Sequence, residues 1–538
     1  MKQLLGSLML LADAQRGGRA PGTPPGPDIS IDLPPQTPSL SSIVPSRTKI
    51  GPSVSLPATK QAARLLFNDQ YSYIGTIFAF ADRTRFEQLL DEVYSRRLDI
   101  TDSASCLAHA KLLVIMAFGQ FYSVNQGLGS VSMPGSEYFA AAVQLLPEIH
   151  GPPSIRFVET LCLVGYFMQN LTYRAAAFAY VGLAVRMAIS LGMHEEVPEP
   201  DRAALTGEEL EYRRRVWWSV YSMDRILTVK SGNPVMIHDD DISMAMPSRL
   251  PSEPEYCPAV TLAFYTELSR ILGDIARLYA PRSSSSPQKL QEAMHDLAGR
   301  LQRWHDALPQ QLRFDYERMH DTRESVSTLL HYYQCINMTV RPFVYTLVRR
   351  RLQGSAEDRA RDWREGLPAA TQDIVVWCID AARKTIRMMK LANKTRLVAN
   401  YGYMDTEHAL SAAILLLMVC AAFPSDPDNT ASLRDALALL ASMGDRGNRH
   451  IAERFQVLRQ LAAELVPDLV LEADSEAEPG AVPPPAVAPG VVDGPPEEQP
   501  MERFWDQVVV GAEGVDGAFE YNQCLWDCVY DDMMQDME

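Results

Sequence analysis

Cysteine is scarce in this sequence, with eight among 538 residues. Six stand singly within apolar stretches, which predicts small buried side chains in a reducing compartment and argues against a disulfide-stabilised secreted fold. The other two, Cys524 and Cys528, are four residues apart, but no His or further Cys lies near them. We therefore predict that this chain holds no metal ion and no cofactor of its own.

The motifs of common enzyme classes are also missing. There is no Walker loop, no dinucleotide-binding glycine fingerprint and no nucleophile elbow. The ten histidines are scattered and none forms a ligand-spaced pair. These absences predict a protein that is not an enzyme.

Long apolar runs are absent as well. The longest, at 409–423, is shorter than the roughly 18–20 residues that a membrane helix needs, so we predict no membrane partner. Residues 1–15 have the minimal pattern of a secretory signal. Without a disulfide framework elsewhere, this segment alone does not favour secretion.

Acidic charge is concentrated at one end of the chain. The net charge is −17, and residues 471–538 contribute −16, from 17 Asp and Glu residues and the single basic residue Arg503. The other 470 residues are therefore close to neutral. The overall acidity is a property of a tail and does not exclude a DNA partner for the rest of the chain.

Composition divides the chain into four segments. Residues 1–59, rich in Gly, Pro and Ser, predict a disordered linker, and the acidic, proline-rich residues 471–500 predict a second one. Residues 60–470 carry apolar side chains at spacings of three and four, which predicts an all-α, large multi-helical domain. Residues 501–538 mix acidic with aromatic side chains.

A helical hairpin of the α-solenoid type is predicted near the middle of the helical segment, from residues 154–170 and 173–191. Small residues in the second helix, Gly182, Ala184 and Ala188, are expected to allow the helices to approach closely. Gly192 then supplies a helix end.

A long amphipathic helix is predicted after this hairpin. Thr206 and Glu209 have the spacing of a capping box, which marks the helix start. Apolar residues then follow at helical spacing, beginning at Val216, and Asp224 borders this buried stripe. A carboxylate there is costly unless it is paired, and Arg225 and Arg341 are the candidate partners.

Three arginines near the start of this helix, at 213–215, are candidate phosphate contacts. Such a row is more typical of a solvated face or of intradomain ion pairs, which is the interpretation we favour. The aspartates at 239–241 raise a second alternative, an isoprenoid synthase with an acidic magnesium motif. Because no acid follows at the required helical spacing, capping and turn hydrogen bonds account for them better.

The order of these parts resembles the middle homology regulatory domain of fungal zinc-cluster (Zn2Cys6-type) transcription factors, in particular the xylanolytic-activator type. The residues that carry the resemblance form the signature: Arg213, Arg215, Trp217, Trp218, Asp224, Arg225, Gly232, Pro234, Asp240, Asp241, Ile242 and Pro247. The segment 329–343 also resembles a long helix of this family that ends in a basic-Pro-aromatic turn at Arg341-Pro342-Phe343. The resemblance implies transcriptional regulation in the nucleus.

The chain departs from that family in one respect. The family reads DNA through six closely spaced cysteines that bind two zinc ions, and no cysteine precedes Cys106 here. The resemblance therefore implies DNA binding, with zinc, only through a cluster outside these 538 residues or through a partner. The alternative is a modulator that does not bind DNA. A small-molecule effector and a homodimer are further expectations from the family.

The C-terminal segment is a second candidate functional element. Its aromatic side chains alternate with acids, which keep them solvated and able to dock into a coactivator groove as an induced helix. The alternatives are a final helix packed on the domain and a solubilising tail. The candidate activation residues are Phe504, Trp505, Phe519, Tyr521, Trp526 and Tyr530.

Overall fold

The computed structural model describes residues 56–123, 133–146, 153–231, 233–278, 287–317, 322–355, 361–423, 426–467 and 469. This part of the chain contains fifteen α-helices and no β-strand, so the all-α prediction is confirmed. The helices are α1 Lys60–Gln70, α2 Arg83–Ser95, α3 Ser103–Ser123, α4 Ser136–Gln144, α5 Ile155–Asn170, α6 Arg174–Ser190, α7 Glu199–Arg202, α8 Gly207–Ser231, α9 Pro258–Leu278, α10 Pro287–Asp306, α11 Arg323–Gln353, α12 Ala369–Lys394, α13 Tyr403–Ala422, α14 Pro427–Asp445 and α15 Arg449–Leu465. The predicted linkers at 1–59 and 471–500 lie outside the described residues except for 56–59.

Helices that are neighbours in sequence are mostly neighbours in space, as in a row of hairpins. The long helix α11 departs from a simple row because it packs against α9, α12 and α13 at once. A single cluster of buried apolar side chains runs from Ala63 to Leu469. The described helices thus share one core.

Two of the described helices, α3 and α13, are long and apolar enough to cross a membrane, judged by length and composition. Their most apolar windows are 83% and 89% buried inside the protein. Neighbouring helices therefore cover the apolar surface that a lipid would otherwise contact, as they do for core helices.

The predicted hairpin is formed by α5 and α6, which pack along their lengths. The close approach depends on Gly165 of α5, because a Cβ atom there would lie 2.7 Å from Val181 Cγ2. Gly182, which the sequence suggested for this role, is not tightly packed: its Cβ would lie 3.5 Å from Arg186 Nη1. Gly192 ends the hairpin with a φ of 65°, as predicted.

The predicted helix end at Arg341-Pro342-Phe343 is wrong, since α11 continues through Pro342 to Gln353. The proline removes one backbone donor and crowds the preceding turn, at a cost of about 3 kcal/mol. Burial of Val344, Leu347 and Val348 beyond it offsets this cost, since each fully buried side chain of this kind contributes about 1.5–3 kcal/mol. Packing overrides the local signal.

Candidate functional site

The helix α8 begins as the capping box predicts. Thr206 Oγ1 accepts a hydrogen bond from the Glu209 backbone N at 3.2 Å, and Glu209 Oε2 accepts one from the Thr206 backbone N at 2.8 Å. Two helix-terminal donors that would otherwise lack partners are satisfied in this way. The start of α8, and with it the position of every signature residue on the helix, is therefore fixed locally.

The paired tryptophans anchor α8 in the core. Both Trp217 and Trp218 are fully buried. Trp218 Nε1 donates a hydrogen bond to the Ala245 carbonyl at 2.7 Å, which ties the helix to the extended segment that follows it. The same segment is held from its other side, because the His194 carbonyl accepts from the backbone N atoms of Ser243 and Met244.

Arginine 213 caps the preceding hairpin. Its Nη2 donates to the Leu191 carbonyl at the end of α6, next to the left-handed Gly192. A cationic group at a helix C-terminus also complements the negative end of the helix dipole. This arginine therefore joins α8 to the hairpin.

Arg214 and Arg215 converge on one buried carboxylate, that of Glu211. Glu211 Oε2 accepts from Arg214 Nη1 at 2.7 Å, and Glu211 Oε1 accepts from Arg215 Nε at 2.9 Å. Ser248 adds its backbone N at 2.8 Å and its hydroxyl at 2.9 Å. The Glu211 side chain is 3% exposed and those of the two arginines 14% and 13%, so all three are largely withdrawn from water.

Each of these arginines also holds a second carboxylate. Arg214 Nη2 lies 2.9 Å from Glu196 Oε1. Arg215 donates to both carboxylate oxygens of Glu253, at 2.8 and 2.6 Å. The hydrogen bond from Arg215 lowers the pKa of Glu253 to about 2. Arg214 and Arg215 are thus intradomain ion-pair donors, as favoured from the sequence, and their guanidinium groups are not directed at an external phosphate.

Asp224 forms an ion pair with Arg225, the first of its two predicted partners. Arg225 Nη1 lies 3.2 Å from Asp224 Oδ2, whereas Arg341 donates to Ser411 Oγ at 2.9 Å instead. The Met236 backbone N is a second donor to Asp224, at 3.4 Å. Burial nevertheless dominates and raises the pKa of Asp224 to about 6.

The acidic turn is fastened mainly through its first aspartate, which the signature did not include. Asp239 Oδ1 accepts from the Tyr221 hydroxyl at 2.7 Å and from Arg225 Nη2 at 2.9 Å. Residues Asp239–Asp241 form one turn of 3-10 helix, closed by a backbone hydrogen bond from Ile242. The carboxylates of Asp240 and Asp241 face solvent.

The remaining signature residues differ in how far they are buried. Pro247 is buried, Ile242 is half-buried and Pro234 is exposed. Gly232 lies outside the described residues. So do the candidate activation residues Phe504, Trp505, Phe519, Tyr521, Trp526 and Tyr530, together with Cys524 and Cys528.

Metal-binding geometry does not occur in the described part of the chain, where no group of three or more His, Cys, Asp or Glu side chains is close enough to hold an ion. The six cysteines in this part are free thiols, and five of them are buried. These residues do not fit a zinc cluster.

An interior cavity lies beside α8, lined by Met223 and Ile226 together with the buried Arg323–Asp405 ion pair. Arg323 Nη1 lies 2.7 Å from Asp405 Oδ2. The free volume is about 20 Å³, which is room for about one water molecule. The cavity is therefore too small for an organic ligand in this conformation.

Comparison with known proteins agrees with the resemblance that the signature residues suggest. The family model described as the fungal specific transcription factor domain matches residues 98–306, a range that includes α3 to α10 and the whole signature. Part of the chain thus matches this domain, and the relatives that it resembles are named as transcriptional regulators. The resemblance drawn from the signature is thereby confirmed.

Several curated relatives of this family are similar over much of the chain. An uncharacterized transcriptional regulatory protein of Schizosaccharomyces pombe is 23% identical over 77% of this chain and 51% of its own length. The thiamine repressible genes regulatory protein thi1 of the same yeast is 22% identical over 57% of this chain and 39% of its own. An ABC-transporter-regulating transcription factor of Aspergillus oryzae is 25% identical, over 62% and 38%. The chain thus spans about half or less of the length of these relatives.

The residues that the sequence did not single out are mostly the acids that complete the arginine network. Glu211 precedes Arg215 by four positions, a spacing that signals a helical ion pair. Glu253 and Ser248 give no such signal, because they lie more than thirty residues further along the chain. The network holds α8 against the segments that precede and follow it. The role of its ion pairs is therefore structural.

Proposed function

We propose that this protein regulates transcription by RNA polymerase II in the nucleus of a fungal cell. The match of residues 98–306 to the fungal specific transcription factor domain carries the proposal. The names of the relatives support it, since they are transcriptional regulators. In this proposal residues 60–470 form the regulatory domain and residues 501–538 contact coactivators.

DNA contact is proposed to come from elsewhere than the signature. The guanidinium groups of Arg214 and Arg215 are engaged by three carboxylates, and direct phosphate binding would require breaking these pairs. We therefore infer that DNA is reached through a zinc cluster that these 538 residues do not contain, or through a partner protein. Zinc belongs only to the first of these routes.

A tethering experiment tests the proposal. The full chain is fused to a neutral DNA-binding module and expressed with a reporter gene that carries the module's binding site. We expect reporter transcription to change relative to the module alone. An unchanged reporter, at matched protein levels, contradicts direct regulation by the DNA-tethered chain.

The role of the tail is tested in the same fusion. Changing Trp505→Ala and Trp526→Ala together is expected to lower activation, because these side chains would supply the apolar contact with a coactivator groove. Asn522→Ala with Gln523→Ala is the matched control, since it changes two neighbouring polar side chains. Equal output from both double variants contradicts an aromatic activation segment.

The modulator without DNA binding is the second outcome. In that case the tethered chain is silent, while its co-expression changes the output of a partner regulator. The homodimer and the small-molecule effector expected from the family stay predictions.

A further inference from the structure

A second cavity opens at the surface where α10, α11 and α12 meet, away from the arginine network. Its volume is about 190 Å³. An engineered apolar cavity of about 150 Å³ is known to accept benzene, so this cleft has room for one aromatic ring with a small substituent. It is roughly ten times larger than the interior cavity beside α8.

Aromatic side chains form one wall of the cleft. Tyr332 and Tyr333 are buried and Trp377 is half-buried, and all three line the cavity. The Tyr332 and Trp377 rings meet edge to face with centroids 6.4 Å apart. Flat rings held in fixed positions favour a flat guest, because aromatic pairs prefer offset-stacked or edge-to-face contact.

The rim of the cleft is polar and carries a free positive charge. Lys384 lines the opening and is exposed, and no carboxylate lies within ion-pair distance of it in the described part of the chain. Of the acids nearby, Asp380 pairs with Arg383, whereas Asp306 accepts from the neutral Gln302 Nε2 at 2.9 Å and keeps its negative charge. Lys384 is therefore the group at the rim that offers an anion a positive charge without a carboxylate partner.

The histidine at the rim agrees with this charge balance. His305 stacks on Tyr332 with ring centroids 5.0 Å apart. Burial first, and then the positive charge of Arg313, lower the pKa of His305; the negative charge of Asp306 opposes this shift and Lys384 adds to it. A neutral imidazole leaves Lys384 as the cationic group that lines the cleft.

We propose that this cleft binds a small planar aromatic carboxylate, with the ring against Tyr332 and Trp377 and the carboxylate at Lys384. The existence of this binding site does not depend on the proposed function. Only the further step, that its ligand is a regulatory effector, rests on the proposed function. The test measures binding, so its failure leaves the proposed function untouched.

Calorimetric titration of the full chain with three probes tests the proposal. Benzoate has both features, benzyl alcohol lacks the charge, and cyclohexanecarboxylate lacks the flat ring. A ligand of this size is expected to bind with a Kd of about 0.1–2 mM. We expect benzoate to bind about two- to fivefold more tightly than benzyl alcohol, since an exposed ion pair contributes up to about fivefold. It should bind about two- to twelvefold more tightly than cyclohexanecarboxylate, since an aromatic pair contributes about 0.5–1.5 kcal/mol beyond its area. Equal affinities, or no heat at millimolar benzoate, overturn the proposal.

Two variants locate the binding. Lys384→Met keeps the apolar stem and removes the charge, so benzoate affinity should fall about two- to fivefold while benzyl alcohol affinity stays within about twofold. Lys394→Met, an exposed lysine on the same helix, is the matched control and should change neither. Ala381→Met fills the floor of the cleft and should abolish binding of all three probes. If Ala381→Met fails to fold, Lys384→Met decides: benzoate affinity equal to that of Lys394→Met overturns the site.

Discussion

The carboxylate of Glu211 is the centre of the network that holds α8 to the segment 245–253, and its loss should be measurable as lost stability. Glu211→Gln is the most conservative test because it keeps the shape of the side chain. The carboxylate accepts four hydrogen bonds, two from arginines and two from Ser248. The amide retains one acceptor oxygen and places an NH2 group against donors, so about half of these bonds are lost.

The expected loss of stability in Glu211→Gln follows from the kind of hydrogen bond that is broken. Hydrogen bonds to charged groups contribute about 1.5–3 kcal/mol each when they are well buried. The second carboxylate partners, Glu196 and Glu253, keep both arginines paired and limit the cost. We therefore expect a loss of about 2–4 kcal/mol, which in a helical domain of about 400 residues lowers Tm by about 2–5 °C.

Thermal unfolding followed by circular dichroism provides the assay. Glu208→Gln is the matched control, because Glu208 is exposed one helical turn earlier and should cost no more than about 1 kcal/mol through the helix dipole. A Tm for Glu211→Gln within about 1 °C of that of Glu208→Gln would refute the role assigned to this network.

Two further predictions concern residues around α8. Burial raises the pKa of Asp224 to about 6, so its ionisation destabilises the folded state, and this cost appears as pH rises from about 4 through 6. The stability of Asp224→Asn relative to the unchanged chain should thus increase by about 2–3 kcal/mol between pH 4 and pH 7, and a pH-independent difference contradicts the assignment. Gly165→Ala should cost about 1–3 kcal/mol because its Cβ would meet Val181 at 2.7 Å, whereas Gly182→Ala should be neutral or stabilising. Tm values in the opposite order would show that the hairpin packs differently.

Local signals in the sequence were sufficient to predict several features of α8. The capping box at Thr206 depends on residues three apart, and the pairing of Asp224 with Arg225 depends on adjacent ones. The helical spacing of the apolar residues predicted a buried stripe on α8 that begins at Val216, and this residue is buried. Burial in fact surrounds the helix over residues 216–228 and includes both tryptophans, which the spacing did not predict. These features could be predicted because their partners lie within one or two helical turns.

The rest depends on tertiary packing that a single sequence does not display. Pro342 reads locally as a helix end, but the apolar residues after it are buried, and the helix continues. The choice of Gly165 rather than Gly182 depends on which face of α5 meets α6. Asp240 and Asp241 entered the signature through the family resemblance, as an acid-acid-Ile step with Ile242. Only the fold brings Tyr221 and Arg225 to Asp239.

Regulation of transcription by this protein in the nucleus can be tested directly in the cell. The most direct measurement is nascent-transcript sequencing within minutes of rapid depletion of the full-length protein from the cell. We expect that synthesis of a limited set of transcripts changes at once, and that re-expression of the protein restores it. Unchanged nascent transcription after complete depletion would contradict a regulatory role.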